Sequence, residues 1–220
     1  RVLHKPRGVT ANEVDAALAA PSDEVGPALL ALPEDQWFER KSSQVASKDL
    51  AVPIVAFANA EGGTLIVGLH SGNVQGLRSH ARKINEFRQV PIDFTVPPVR
   101  ARFEQVTCQN EDGQLDTLLV VRVDPSERVH ELKNGDCYLR IGDESRRLGF
   151  SARQELEYDR GQAHFDGMPA PGVSIEDLDH RQLSAYGERT GSTSTFARLL
   201  EARTLVTRDK KVTNAGYLEA

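Results

Sequence analysis

An acidic and a basic side chain stand two positions apart in the segment WFERK, residues 37–41. Side chains alternate between the two faces of a β-strand, so a strand here would turn Glu39 and Lys41 to the same side. Opposite charges in an apolar strand are unusual unless they pair for a purpose. We expect these two side chains to form an ion pair or to act on one ligand.

The chain after this segment predicts a helix and a second strand that would position the pair. Ser47 is a suitable N-cap for a helix to about residue 60, with an apolar stripe at helical spacing. The stripe consists of Leu50, Ile54, Val55, Phe57 and Ala58. Gly62 and Gly63 are expected to end the helix. Residues 64–69 form a short, continuously apolar run, which predicts a strand covered on both faces.

The remaining pattern predicts an α+β fold, with a mixed or antiparallel sheet flanked by helices and followed by a helical C-terminal segment. Tight turns are expected at residues 71–73, 110–113 and 134–135, where Asn, Ser, Asp and Gly are concentrated. Further strands are predicted over residues 99–106, 115–123 and 136–141. Further helices are predicted over residues 14–20, 22–32, 79–87 with Ser79 as its cap, 151–160, 174–190 and 194–205.

These elements divide the chain into three parts. Residues 1–32 would form an N-terminal helical extension, residues 33–153 the α+β domain, and residues 154–220 a helical segment. Because the chain starts at Arg1 rather than Met and ends without a clear stopping element, we expect it to be part of a longer protein. No apolar run approaches the ~20 residues that cross a bilayer, and no signal sequence opens the chain. This pattern favours a cytoplasmic location for the protein.

Positive charge is local in this chain, whose formal net charge is -5. One basic group consists of Arg78, Arg82, Lys83, Arg88, Arg100 and Arg102. A second consists of Arg140, Arg146, Arg147 and Arg153 around a turn at residues 142–145. Contacts from Lys and Arg to phosphate supply most non-specific affinity for nucleic acid, so two such groups facing one groove would suffice for binding. The alternative to nucleic-acid binding is that both basic groups lie on solvated faces and form ordinary ion pairs.

Several short motifs then occur together in one order. They are ERKSS at residues 39–43, FANAEGGTLIVG at 57–68, GNVQG at 72–76, PP at 97–98, LLVVRV at 118–123, His130, and YLRIGDES at 138–145. This combination resembles the Schlafen AlbA-type domain of bacterial regulators. The resemblance implies the Schlafen core lobe as the fold and a non-catalytic nucleic-acid-binding module of a bacterial regulator or defence protein as the function. It also implies a homodimer, because eukaryotic Schlafen cores resemble two such lobes joined together.

In proteins with this domain, a helical linker and a divergent ATP-binding module typically follow. Residues 213–216, TNAG, resemble the opening of that module. The resemblance therefore implies that ATP binds in a part absent from this chain, and that residues 1–220 themselves hold no cofactor in the binding hypothesis.

Nuclease members of the Schlafen family use two glutamates and an aspartate, with the second glutamate in an acid-x-Lys motif. Glu34 and Glu39 match the spacing of the glutamates, and Lys41 completes the motif. The aspartate would follow the strand at 64–69, where this chain has His70 and Ser71. A nuclease that uses Mg²⁺ or Mn²⁺ to cut structured RNA such as tRNA is therefore the second hypothesis, and the missing carboxylate counts against it. In the binding hypothesis, Glu39 orients Lys41 toward phosphate.

A protein-interaction or oligomerisation domain is the third hypothesis.

Some Schlafen domains hold a structural zinc with Cys and His, and His130 lies between Cys108 and Cys137. The two cysteines lack any CxxC spacing, so we predict two ordinary thiols and no metal site. No glycine loop of the GxGxxG or GxxxxGKS type, no GxSxG motif and no HExxH motif is present.

Overall fold

The structure is a computed structural model that describes residues 11–175, 178, 200, 204–207 and 209–219. Its helices are α1 (Ala11–Leu18), α2 (Ser22–Ala31), α3 (Ser47–Ala58), α4 (Ala81–Phe94), α5 (Phe150–Gly167) and α6 (Asn214–Glu219), with a short 3₁₀ helix at Arg78–His80. Its strands are β1 (Phe38–Lys41), β2 (Gly63–Val67), β3 (Leu69–His70), β4 (Asn73–Val74), β5 (Thr95–Val96), β6 (Ala101–Gln109), β7 (Leu115–Val123), β8 (Glu131–Leu132), β9 (Tyr138–Ile141) and β10 (Glu144–Arg147).

Four strands form a central mixed sheet in the order β1-β2-β7-β6. Strands β1 and β2 run parallel and are connected through α3, whereas β7 is antiparallel to both β2 and β6. Three ribbons pair β3 with β4, β5 with β8, and β9 with β10. The predicted α+β class with a mixed sheet flanked by helices is confirmed.

Helices cover both faces of the central sheet. Leu65 and Val67 of β2 lie in a core cluster with α3 and α4, whereas Ile66 lies in a second cluster with α1 and α2. Strand β2 is therefore buried on both faces, as its apolar run predicted. Phe38 of β1 belongs to the second cluster, so alternation along β1 turns Glu39 to the face of α3 and α4.

The ends of α3 differ from the prediction. Ser47 is the first residue of this helix rather than its N-cap, and Ala46 takes the cap position without a side-chain hydrogen bond. The helix ends at Ala58, and the backbone N–H of Gly62 then donates to the Phe57 carbonyl at 2.9 Å. Gly62 adopts a φ of 80°, which favours glycine at a helix end.

Helix α4 is longer than predicted and begins later. It continues to Phe94, about two turns past the expected end, because Val90 and Pro91 continue its buried stripe. Ser79 lies in the preceding 3₁₀ helix, and His80 takes the N-cap position without a side-chain cap.

The predicted turns are present, and one ribbon was missed. Residues 71–72 have positive φ angles between the paired His70 and Asn73, and residues 110–114 connect β6 to β7. Residues 144 and 145, predicted as part of a turn at 142–145, instead begin β10, which pairs with β9. The predicted helix at 151–160 is the first part of α5, while those at 174–190 and 194–205 lie largely outside the described residues.

The chain divides into two compact units, residues 1–154 and 155–220. The second unit has a small apolar cluster of its own, formed by Leu178, Leu200, Leu205, Val206 and Val212. Among the described residues, no helix is both long enough and apolar enough to cross a membrane.

A buried amide connects the end of α3 to the ribbons beyond the sheet. Asn59 donates through Nδ2 to the carbonyls of His130, at 2.7 Å, and Tyr138, at 2.9 Å. Its Oδ1 accepts the backbone N–H of His130 at 2.8 Å. Asn59 is 1% exposed, so these hydrogen bonds are made away from bulk water.

We predict that Asn59→Ala destabilises the chain by about 2–4 kcal/mol, because it leaves several buried backbone groups without a partner. The free energy of unfolding from urea titration checks this value. Asn85→Ala on the exposed side of α4 is the matched control and is expected to change stability by less than about 0.5 kcal/mol. Equal effects of the two substitutions would contradict the role assigned to Asn59.

Candidate nucleic-acid interface

The candidate interface lies at one edge of the central sheet, here called the front edge, where β1 and β2 end and β7 begins. Parallel pairing brings the carboxyl ends of β1 and β2 together, and the N–H of Gly68 donates to the Lys41 carbonyl at 2.8 Å. Helix α3 starts at the same edge because it follows β1. The backbone N–H of Leu77 donates to the Thr117 carbonyl at 2.9 Å, which brings the start of α4 to this edge as well.

Glu39 holds a carboxylate between two cations on the face of α3 and α4. One oxygen, Oε1, contacts the ammonium of Lys41, and the other, Oε2, accepts from the guanidinium of Arg140. Glu39 is 5% exposed, whereas the Lys41 side chain keeps 34% of its surface in contact with solvent. The predicted Glu39–Lys41 ion pair is present, and Lys41 is the member of the pair that a ligand can reach.

Arg140 was predicted to contact phosphate, and the structure places it inside the protein. It is 2% exposed, donates to the carbonyls of Asp35 and Phe38 at 2.8–3.3 Å, and lies 4.9 Å from the centre of the Phe57 ring. Its guanidinium is engaged with Glu39 and with backbone carbonyls. We therefore leave Arg140 out of the candidate interface, because a buried and satisfied guanidinium offers nothing to a phosphate.

Glu34 is held by Arg40 rather than by the partners of Glu39. Its Oε1 accepts the backbone N–H of Arg40 at 2.9 Å and lies 3.5 Å from Nε of the same residue. Arg40 also donates to the carbonyl of Leu30 in α2 at 2.8 Å, on the opposite face of β1. The two glutamates that the sequence placed in one candidate catalytic group thus have different partners.

A glutamine that the sequence did not identify fixes the segment after Lys41. Gln75 Oε1 accepts from the Ser42 hydroxyl at 2.8 Å, from the Ser43 backbone N–H at 3.0 Å, and from the Ser43 hydroxyl at 3.2 Å. One oxygen therefore holds the turn between β1 and α3. The only sequence signal was its place between the glycines of GNVQG, which does not reveal a partner 32 residues away.

A buried aspartate fixes the backbone just before α4, where the basic residues Arg78, Arg82 and Lys83 begin. Oδ1 of Asp116 accepts the backbone N–H groups of Leu77, at 2.8 Å, and Arg78, at 2.7 Å. Gly76 has a φ of 68°, and a Cβ at this position would overlap the Asp116 carboxylate. The close approach of glycine and carboxylate positions Arg78 at the front edge.

The structure sorts the predicted basic residues by whether a carboxylate neutralises them. Arg102 pairs with Asp124 at 2.9 Å, Arg146 with Glu144 at 2.9 Å, and Arg147 with Asp136. Four others have no carboxylate of the described residues within 4.0 Å, namely Arg82, Lys83, Arg88 and Arg100. Arg78 uses its guanidinium on the Leu115 carbonyl at 3.1 Å rather than on a carboxylate.

The first basic group is spread along the whole of α4. Arg78, Arg82 and Lys83 lie at the front edge, where α4 begins. Arg100 precedes β6, whose first residue, Ala101, is level with Val123 and the start of β2 at the opposite end of the sheet. The helix between them is about 21 Å long. The sequence had placed these residues in one group, and the structure divides them between two ends.

The front edge carries one further cation, Lys48, which belongs to neither of the two predicted basic groups. Lys48 is exposed in the first turn of α3, and this turn begins beside Lys41 and Ser42 at the end of β1. We call the five residues Lys41, Lys48, Arg78, Arg82 and Lys83 the front-edge cluster. Lys41 shares the sheet face of α3 and α4, and the other four cations lie in or just before the first turns of these two helices.

The residues at the front edge do not fit a divalent metal. Both oxygens of Glu39 contact cations of the protein, and Glu34 is held by Arg40. His70 is exposed at the end of β3, where the aspartate was expected. Across the described ranges, no three His, Cys, Asp or Glu side chains converge in a way that would hold a metal ion.

Cys108 and Cys137 are free and buried, as predicted for ordinary thiols. Burial, with a smaller contribution from Asp116, raises the pKa of Cys108 to about 11, so its thiol stays protonated at neutral pH. His130 uses both ring nitrogens inside the protein, Nδ1 with the Pro97 carbonyl at 2.7 Å and Nε2 with the Ser126 hydroxyl at 2.8 Å.

Comparison with known proteins assigns the chain to a family. The family described as Schlafen, AlbA_2 matches residues 34–149, more than half of the 220 residues. No curated protein matches the chain. Among solved structures, the DIP2311 protein from Corynebacterium diphtheriae is similar, with 21% identity, a TM-score of 0.46, and coverage of 94% of this chain and 44% of its own. The chain thus spans less than half the length of that protein. The family match supports a nucleic-acid-related role, and the chain belongs to the Schlafen AlbA_2 family.

Proposed function

We propose that this chain binds nucleic acid through the front-edge cluster and does not cleave it. The observation that carries the proposal is the location of the unneutralised cations. Arg82 and Lys83 have no carboxylate within 4.0 Å among the described residues, and they begin α4 at the edge where Lys41 is presented. Cations without an internal partner are available to phosphate, whereas a cation that pairs with an exposed carboxylate, as Arg102 and Arg146 do, brings a negative charge to the same surface.

The local concentration of charge offsets the acidic remainder of the chain. The formal net charge is -5, so long-range attraction to a polyanion is weak. Five cations on one side of the sheet act at short range instead, since charges farther than about 10 Å are screened at ordinary ionic strength. Binding therefore depends on which basic residues face the phosphates, not on the overall charge.

The environment of Glu39 supports binding rather than cleavage. A carboxylate that served a catalytic cation would need an oxygen facing that cation. Here Lys41 and Arg140 contact both oxygens, so Glu39 positions the Lys41 ammonium. Buried Arg140 holds the carboxylate in place, and Lys41 contacts a phosphate at the surface.

The wider role follows the family resemblance. We propose that the chain is a module of a bacterial cytoplasmic regulator or defence protein, with ATP bound by a further module of such a protein.

We also propose that the chain forms a homodimer, so that two front-edge clusters contact one nucleic acid. Multi-angle light scattering should give the mass of two chains, and a strict monomer at high concentration with and without nucleic acid would remove this part of the proposal.

Charge reversal at the start of α4, compared with charge reversal at the opposite end of the sheet, tests the location of the interface. Arg82→Glu with Lys83→Glu should abolish most binding to labelled duplex DNA or tRNA in a gel-shift or anisotropy titration. The plot of log affinity against log salt should lose about 2 from its slope, because two phosphate contacts no longer release counterions.

The matched control is Arg100→Glu with Arg102→Glu at the opposite end of the sheet, which changes the net charge by the same amount. This variant should keep most of the affinity of the original chain. A larger loss in the control than in the front-edge variant would place the interface elsewhere, and binding insensitive to both salt and charge reversal would exclude a phosphate interface.

Two glutamine substitutions separate binding from cleavage. Glu39→Gln should weaken binding by up to about tenfold, because Lys41 loses the charge that positions it. Glu34→Gln, at a carboxylate that contacts Arg40 and not Lys41, should leave binding unchanged. Neither the original chain nor the variants should cut tRNA with Mg²⁺ or Mn²⁺ present. Circular dichroism monitors folding, since Glu39 also partners the buried Arg140.

A metal-dependent nuclease gives a different pattern. There, the original chain cleaves RNA, and both glutamine variants lose cleavage while binding is kept or tightened, because removing a carboxylate reduces repulsion of phosphate. That pattern would replace the present proposal with the second hypothesis.

A further inference from the structure

A cavity of about 550 Å³ lies beside the β9–β10 ribbon, away from the front edge. We call it the hairpin cavity. It is lined by Gly135, Asp136, Cys137, Arg147, Leu148, Gly149, Phe150 and Arg153. Its volume is in the range of sites that hold small organic molecules, which is about 300–1,000 Å³. All its lining residues belong to the first compact unit.

The cavity combines an apolar base with guanidinium groups. Cys137 is buried at its base, and the backbone N–H of Leu148 donates to the Cys137 carbonyl at 2.8 Å, which closes the segment after β10 onto the strand. Arg147 contacts Asp136, and Arg153 contacts Glu131 at 2.5 Å. These ion pairs position both guanidinium groups at the cavity wall, and Arg147 remains mostly exposed.

The first residue of α5 exposes an aromatic ring beside this cavity. Phe150 is 77% exposed, although a phenylalanine side chain loses favourable burial energy when it stays in water. The adjacent Gly149 has open space where a side chain would stand, so nothing from that residue covers the ring or the cavity. A planar ligand in the cavity would remove the ring from solvent.

An arginine and an exposed ring at one cavity match the two parts of a nucleotide. Nucleobases stack on aromatic side chains regardless of sequence, because every base has a π-face. The guanidinium of Arg147 has five N–H donors in a planar fork, and its contact to Asp136 occupies one end of the fork. A phosphate accepts from such a fork in a bidentate manner.

We propose that the hairpin cavity binds one unpaired nucleotide, with its base stacked on Phe150 and its phosphate held by Arg147. The nucleotide is either a free nucleoside monophosphate or an unpaired residue of a nucleic-acid strand, and in the second case the inference rests on the proposed function. A base in a duplex does not reach this ring, because its faces are covered by the neighbouring pairs. The cavity therefore gives the chain a preference for unpaired over paired nucleotides.

Substitution of the ring tests this inference. Phe150→Ala should weaken binding of a single-stranded oligonucleotide by about 5- to 150-fold, the effect of losing one stacked base, while binding of a duplex of equal length stays unchanged. Phe150→Trp should keep the single-strand affinity, which separates stacking from a structural role. Tyr158→Ala is the matched control, since Tyr158 is 71% exposed on the same helix but does not line the cavity.

Calorimetry with adenosine and uridine 5′-monophosphates distinguishes the two sources of the nucleotide. Saturable binding that is lost in both Phe150→Ala and Arg147→Ala supports a free nucleotide as the ligand. A Phe150 effect on the oligonucleotide without binding of either monophosphate supports an unpaired residue of a strand. No effect of Phe150→Ala on any of these ligands overturns the inference.

The same experiments distinguish failure of this inference from failure of the proposed function. If the front-edge charge reversal abolishes binding and Phe150→Ala changes nothing, the hairpin cavity is not a nucleotide site and the front-edge interface stands. If no nucleic acid binds but a monophosphate binds and depends on Phe150, the proposed function fails and the cavity stands as a free-nucleotide site.

Discussion

The carboxylate of Glu39 is the group on which the arrangement of this domain depends. It is buried on the sheet face of α3 and α4, where an isolated charge would be unstable. Two cations from different parts of the chain compensate it: Lys41 from the same strand, and Arg140 from β9, about 100 positions away. The three side chains together leave one net positive charge, and Lys41 carries it to the surface.

This triad also connects elements that share no backbone ladder. Arg140 donates to the carbonyls of Asp35 and Phe38, which docks the β9–β10 ribbon on the start of β1. Removing one member of such a buried charge group costs about 3–5 kcal/mol, because the remaining charge loses its partner. The same residues therefore support the fold and hold the Lys41 ammonium at the surface. Asn59 also contacts this ribbon, through the carbonyl of Tyr138, and connects it to the carbonyl of His130.

Charge at the surface is organised by which residues the protein neutralises itself. The β9–β10 ribbon contains three arginines, yet each contacts a glutamate or an aspartate. The front edge keeps its cations available, and its backbone is fixed by two acceptors, Gln75 and Asp116, rather than by carboxylates facing outward. A hydrogen-bonded backbone beneath long basic side chains suits non-specific contacts to phosphate, since such side chains have several rotatable bonds.

The sequence by itself determined the elements whose patterns are local. The apolar run of β2, the helical stripe of α3 and the turn at residues 71–72 all depend on neighbours a few positions apart, so their spacing sufficed. Alternation along β1 likewise predicted that Glu39 and Lys41 pair. Tertiary structure alone decided which charges are buried or paired and which stay exposed. Arg140 looks like any surface arginine in the sequence, and its burial follows from docking onto Asp35 and Glu39. Glu34 and Glu39 match a catalytic spacing, but Arg40 holds Glu34, whereas Lys41 and Arg140 hold Glu39. Such assignments depend on contacts between residues far apart in the chain, which no periodicity records.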